Sequence, residues 1–287
     1  MSVVVFCVWV LFFGCLQTNR RFLAGMVLAL CLFKPTLVVL PALMLVLGRR
    51  WRVVSGLAVG GAAVALLSIL TVGLEGCRAW FAALLMIGQT AAGRGEAWHR
   101  AKDVDMSAFF HLLLGNTLLG NTAALTGFVL IAAAATAVAV LGRAWWFSVE
   151  GDSGEQALWA ATLCFALVVS SYAPIYDAIL VVVAVALVAG GLRRSDQERE
   201  AFAVWLLLLY LVPWVTQSFA EFLHLQLLTL VLAGFGVWAL RLVSRGTETS
   251  DELGVSQFRP RQEESTMTAP LRPPATGLFQ VRSRGLP

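Results

Sequence analysis

The chain has 287 residues, of which 59% are hydrophobic and only 13% charged, with a mean hydropathy of +0.80. A soluble domain carries about 25% charged residues, so a water-soluble globular protein is excluded. The net charge of +4 does not indicate a nucleic-acid partner, because the arginines cluster between apolar runs, as topology signals do.

Apolar runs of about 20 residues, long enough to cross a hydrocarbon core, recur from residue 2 to residue 243. Only helices and closed barrels satisfy their own backbone in lipid, and the short alternating strands of a barrel are missing. The expected fold class is all-α: a polytopic transmembrane helical bundle of about eight membrane segments over residues 1–243. The first segment covers Ser2 to Leu16 and ends at Arg20-Arg21. A long stretch from Phe22 to Leu47 is interrupted by Lys34-Pro35 and ends at Arg49 to Arg52. Val53 to Leu74 is rich in glycine and alanine, which suits close helix packing. A polar region, residues 75–105, opens with an amphipathic stretch from Trp80 to Ile87. Met106 to Leu119 is semi-apolar and suits the membrane surface. Spans follow at Asn121–Leu141, Ala157–Ser170, Ala178–Leu192, Ala201–Thr216 and Leu225–Leu240. From residue 244 the composition turns to Pro, Ser, Thr, Glu and Arg, so 244–287 is expected to be a disordered cytoplasmic tail.

Positive residues favour the cytoplasmic side. Placing Arg20-Arg21, Arg49 to Arg52, Arg143, Arg193-Arg194 and Arg241 there puts the 75–105 region, the Tyr172–Asp177 turn and the Gln217–His224 loop outside. Phe22–Leu47 has arginines at both ends. Either it enters and returns as two short helices hinged at Lys34-Pro35, the preferred reading, or one cluster violates the rule. The first span then starts outside, which suggests further spans upstream of Met1.

Several residues are candidates for chemistry. Lys34 is costly in an apolar stretch unless it pairs or meets water, and Pro35 breaks the helix beside it. It binds an anionic head group such as a lipid phosphate, or it is a structural lysine wetted at a hinge. Tyr176-Asp177 opens an apolar helix, where Asp177 is either a helix cap or a carboxylate lining an outward-facing cavity. His99, Arg100 and Lys102 beside Asp103 and Asp105 make either a polar substrate site with acid–base groups or a solvated outer loop. His111 lies on a semi-apolar helix and reads as packing before catalysis; Glu221 and His224 read as solvated. The five cysteines lie mostly in apolar segments without metal or disulfide spacing. The sequence offers no nucleotide-binding glycine loop, no metal-ligand cluster and no Ser–His–Asp signature, and no cofactor is expected.

Three stretches are similar to glycosyltransferase family 87, integral membrane enzymes of the GT-C type. They are Leu23-Ala-Gly25 … Phe33-Lys-Pro-Thr36 … Gly48-Arg-Arg-Trp-Arg52, then Asp105-Met106-Ser107 leading to Gly115, then Ser170-Ser-Tyr-Ala-Pro-Ile-Tyr-Asp177. The resemblance covers roughly residues 1 to 240. It implies a multi-pass cell-membrane hexosyltransferase that moves a sugar, usually mannose, from a polyprenyl-phosphate donor to a lipid or glycan acceptor outside. An acidic residue in the family's first outer loop deprotonates the acceptor hydroxyl, and a cation stabilises the lipid phosphate. It implies Lys34, Tyr176 and Asp177 as cavity residues; His99, Arg100 and His111 stand as further substrate-binding candidates on their own chemistry. It also implies that the family's first two or so spans, and the loop with its catalytic acid, have no counterpart here. The rival readings are a transporter or lipid flippase built round the broken helix, and a non-catalytic membrane subunit.

Overall fold

The computed structural model describes residues 2–93, 103–114, 122–148, 154–170, 173–192 and 196–257. The chain divides into two compact units, residues 1–249 and 250–287. Everything below concerns the first; in the second, only 250–257, the end of the last helix, is described.

The described residues are helical throughout, apart from turns and one isolated antiparallel bridge between Asp103 and Pro174. In chain order the helices are α1 (Ser2–Gln17), α2 (Arg21–Ala29), α3 (Val39–Leu47), α4 (Trp51–Gly93), α5 (Met106–Leu114), α6 (Thr122–Phe147), α7 (Glu155–Val169), α8 (Leu180–Gly191), α9 (Asp196–Leu223) and α10 (Leu227–Gln257). Short 3-10 turns cover Leu30–Phe33, Pro35–Leu37 and Ile175–Ile179. Four stretches are long and apolar enough to cross a membrane: Trp51–Ala83, Gly127–Phe147, Asp196–Leu223 and Leu227–Ser244. Several shorter apolar helices, Ser2–Gln17, Arg21–Phe33, Pro35–Leu47, Glu155–Val169 and Ile175–Gly191, complete the bundle. Rows of large apolar side chains such as Leu70, Phe128, Trp214 and Phe222 stay exposed along the long helices, as they do where lipid is the solvent.

The stretch from residue 21 to residue 47 is a hairpin. Lys34 takes an extended backbone (φ −128°, ψ 71°) between two 3-10 turns, where Pro35 cannot donate a helical hydrogen bond. The chain then doubles back. Gly25 and Gly56 show where it returns: a Cβ on Gly25 would lie 2.0 Å from the Val53 carbonyl oxygen, and one on Gly56 2.0 Å from that of Phe22. Further along, Gly60 meets Ala29 and Met26 and Gly61 meets Leu32, so α2 and α4 run side by side in the same direction. The arginines at 20–21 and at 49–52 therefore lie at one end of the bundle, and Lys34 lies at the other.

The remaining helices keep to those two ends. At the arginine end, Arg50 pairs with Glu155 at the start of α7 (3.5 Å), Arg49 stacks on Trp146 near the end of α6 (4.1 Å), and Gly154 meets Val243 of α10. An aromatic cluster of Trp9, Phe12, Trp145 and Trp159 joins α1, α6 and α7, with Trp145 and Trp159 centroids 4.8 Å apart. Buried Trp145 donates its indole N–H to Thr162 (2.9 Å), the polar partner that a buried indole needs.

The amphipathic stretch Trp80–Ile87 that opens the polar region lies on a helix: α4 breaks at Gly73 (φ 73°, ψ 171°), a conformation reserved for glycine, and resumes through Gly93. Helix α10 runs past residue 244 to Gln257, while 258–287, most of the expected tail, lies outside the described residues.

Candidate functional site

The end of the bundle opposite the arginines collects the polar groups. Lys34, at the hairpin tip, forms an ion pair with Asp177, whose other carboxylate oxygen accepts a hydrogen bond from the Ser2 hydroxyl (2.8 Å). Three separate chain segments thus meet at one carboxylate. The Asp177 side chain is wholly buried, whereas that of Lys34 keeps 17% exposure, so the pair is sealed on one side and open on the other. The Lys34 ammonium also lies 5.3 Å from the ring centroid of Tyr176, within cation–π range. Pro174 accepts the Asp177 backbone N–H (2.8 Å) and fixes the turn. The carboxylate of Asp177 is engaged by Lys34 and Ser2 rather than by backbone N–H groups of its own helix. Its role as a helix cap is accordingly replaced by a role as counter-ion.

A second strand of chain, residues 103–105, lies against this turn. Val104 N–H donates to the Ala173 carbonyl (2.8 Å), and Asp105 accepts from the backbone N–H groups of Ala173 (3.1 Å) and Ala108 (2.8 Å), capping α5. From the other side, Gln226 donates to the Asp103 carbonyl (2.6 Å) and Thr229 to the Val104 carbonyl (2.9 Å). Gln226 is itself held by Thr216 of α9, whose hydroxyl donates to it. The Asp103 carboxyl is raised to about 7 by burial first, then by the neighbouring charges of Asp105 and Asp177. Burial likewise pushes Asp105 up, opposed by the backbone N–H groups it accepts.

Among the expected site residues, Lys34, Tyr176 and Asp177 come together as described. His99 and Arg100, with Lys102, lie outside the described residues. His111 is on α5, and its side chain lies outside the description too. Glu221 is exposed near the end of α9, and His224 sits in the following turn with φ 55°. Ser2, Gln226, Thr216 and Thr229 were not legible as site residues. The signal that could have found the last three is a small set of polar side chains in otherwise apolar helices, which must be satisfied by something. No group of His, Cys, Asp or Glu suited to a metal ion occurs among the described residues.

A family model, glycosyltransferase family 87, matches residues 1–171, more than half of the chain. The chain belongs to glycosyltransferase family 87. It is a multi-pass membrane glycosyltransferase, acting between a sugar donor and an acceptor. The region matched to family 87 contains Ser2, Lys34, Asp103 and Asp105, while Tyr176 and Asp177 follow it. No curated protein and no solved structure matches the chain.

Proposed function

We propose that this family 87 protein transfers a hexose, mannose in the first instance, from a polyprenyl-phosphate donor to a lipid or glycan acceptor at the outer face of the cell membrane. The bundle is then of the GT-C type, with its site at the hairpin tip. The observation that carries the reading is the Lys34–Asp177 pair, a cation fixed at the end of a broken apolar helix and open on one side. An ammonium has three donors; with one spent on Asp177, others remain for the phosphate oxygens of a lipid entering from the bilayer. Tyr176 lies beside it, next to the acceptor side formed by residues 103–105. The outer placement rests on the arginines gathered at the opposite end, which favour the cytoplasm.

The pair makes Lys34→Met alone a poor test, since it strands a buried carboxylate. The double change Lys34→Met/Asp177→Asn removes both charges and keeps an oxygen for Ser2. With a photoreactive polyprenyl phosphate as the probe, wild type should be labelled within residues 30–37 or 173–180, and excess polyprenyl phosphate should compete. The double variant should lose the label. Undiminished labelling of the double variant would remove Lys34 as the phosphate ligand.

A further inference from the structure

The turn that ends α3 sends two consecutive arginines in opposite directions. Arg50 N–H donates to the Leu45 carbonyl (2.9 Å) and Arg49 N–H to the Val46 carbonyl (3.0 Å), the paired bonds that close a helix through a left-handed residue. That residue is Arg49 (φ 56°), at a position where glycine is favoured because a Cβ crowds the backbone there. The glycine stands one place earlier. A Cβ on Gly48 would lie 2.7 Å from a ring carbon of Trp145, so α3 and α6 touch closely at this end. Arg50 turns inward, 6% exposed, towards Glu155 (3.5 Å) and the Trp145 ring. Arg49 turns outward, and its guanidinium carbon lies 4.1 Å from the ring centroid of Trp146, itself exposed. Arg143, also exposed, lies 5.5 Å from the ring of Phe147 on the same stretch of α6. Two exposed guanidinium groups from separate segments thus rest on adjacent rings. A ring engages the flat face of a guanidinium, whereas the five N–H donors lie in its plane. The rings therefore position both groups without spending their hydrogen bonds.

We infer that Arg49 and Arg143, positioned by Trp146 and Phe147, bind the phosphate of an anionic phospholipid in the leaflet at the arginine end of the bundle. The planar fork of an arginine matches phosphate oxygens two at a time. A free phosphate has the same chemistry, but the surroundings favour a lipid. Val140, three residues before Arg143 on the same face of α6, is exposed, and so is Val46 in the last turn of α3. Acyl chains thus have apolar surface on the bilayer side of both cations. Trp51 and Trp146, both exposed, stand at the ends of the spans Trp51–Ala83 and Gly127–Phe147, the level at which indole rings meet headgroups. The site also gives Arg49 a reason to keep a backbone conformation that glycine would hold more easily, since strain of this kind persists where a side chain is needed in one place. It lies at the end of the bundle opposite Lys34 and does not depend on the donor reading.

The test is native mass spectrometry of the full chain in a neutral detergent, with phosphatidylglycerol and phosphatidylcholine added in equal amounts. Wild type should retain one phosphatidylglycerol about tenfold more strongly than phosphatidylcholine, as charge-assisted hydrogen bonds to a net anion allow. Arg49→Gly/Arg143→Gln should lose that preference. Because Arg49→Gly supplies the residue that the turn favours, the double variant should melt no lower than wild type in lipid-free detergent, which separates a lost site from a lost fold. Arg143→Gln alone, away from the turn, should lose part of the preference. Arg20→Gln/Arg52→Gln removes the same charge from two exposed arginines at the same end and should keep it. Equal loss in both double variants would reduce the effect to general charge attraction and overturn the site. Retention by Arg49→Gly/Arg143→Gln, or no preference in wild type, would overturn it as well. So would displacement of the lipid by excess inorganic phosphate, which would assign the arginines to a soluble ligand.

Discussion

Asp177 has no exposed side-chain surface, and its charge is tolerated because Lys34, 143 positions earlier, meets it together with Ser2. Removing one partner of a buried pair typically costs roughly 3 to 5 kcal/mol, because the other charge is left without compensation. The open side of Lys34 lowers that figure here. Lys34→Met should therefore melt well below wild type, and adding Asp177→Asn should restore most of the loss. A double-mutant cycle by thermal melting checks this; additive losses would mean that the two residues are not coupled. Asp103 behaves in the opposite sense. Its carboxyl is raised in the folded protein, so the folded state holds the proton more tightly than the unfolded chain. Stability contributed by that proton is present at low pH and is lost as pH rises from about 4 towards 7. Asp103→Asn should thus melt higher than wild type at pH 8 and no higher at pH 4. Equal melting of the two proteins at pH 8 would contradict the raised carboxyl.

At the scale of elements, the hairpin depends on two glycines that let α2 and α4 touch backbone to backbone. Gly56→Leu places a side chain against the Phe22 carbonyl, with no flexible neighbour to give way. It should abolish folded protein in a detergent size-exclusion assay, whereas Gly127→Leu, in open space on α6, should be tolerated. Much of this element was legible in advance. Lys34-Pro35 in an apolar run and arginines at both ends admit a hinge, and the structure shows it. The clamp on residues 103–105 was not legible, because it joins Gln226 and Thr229 to a loop more than a hundred positions away, and nothing local marks such a pairing. Asp177 was open between cap and cavity carboxylate for the same reason: both partners are remote, and one is the unremarkable Ser2. The break at Gly73 was hidden because a lone glycine in a glycine-rich span carries no signal of its backbone angle. Gln226→Leu should cost roughly 1 to 3 kcal/mol by leaving the Asp103 carbonyl unpaired, with melting as the check.

At the scale of the whole molecule, the helices separate two kinds of chemistry. One end carries Arg49, Arg50 and Glu155 with the tryptophans of α6; the other carries Lys34, Asp177 and the 103–105 segment. Both arginine clusters, 20–21 and 49–52, lie at the same end because the hairpin returns, so neither has to violate the charge bias. The account's central claim is that the hairpin tip is the donor site of a family 87 transferase. Its most direct test is sugar transfer from labelled polyprenyl-phosphate mannose by membranes carrying either the wild-type chain or Lys34→Met/Asp177→Asn at matched levels of folded protein. The account predicts transfer by wild type and none above background by the double variant. Equal transfer by both would contradict it.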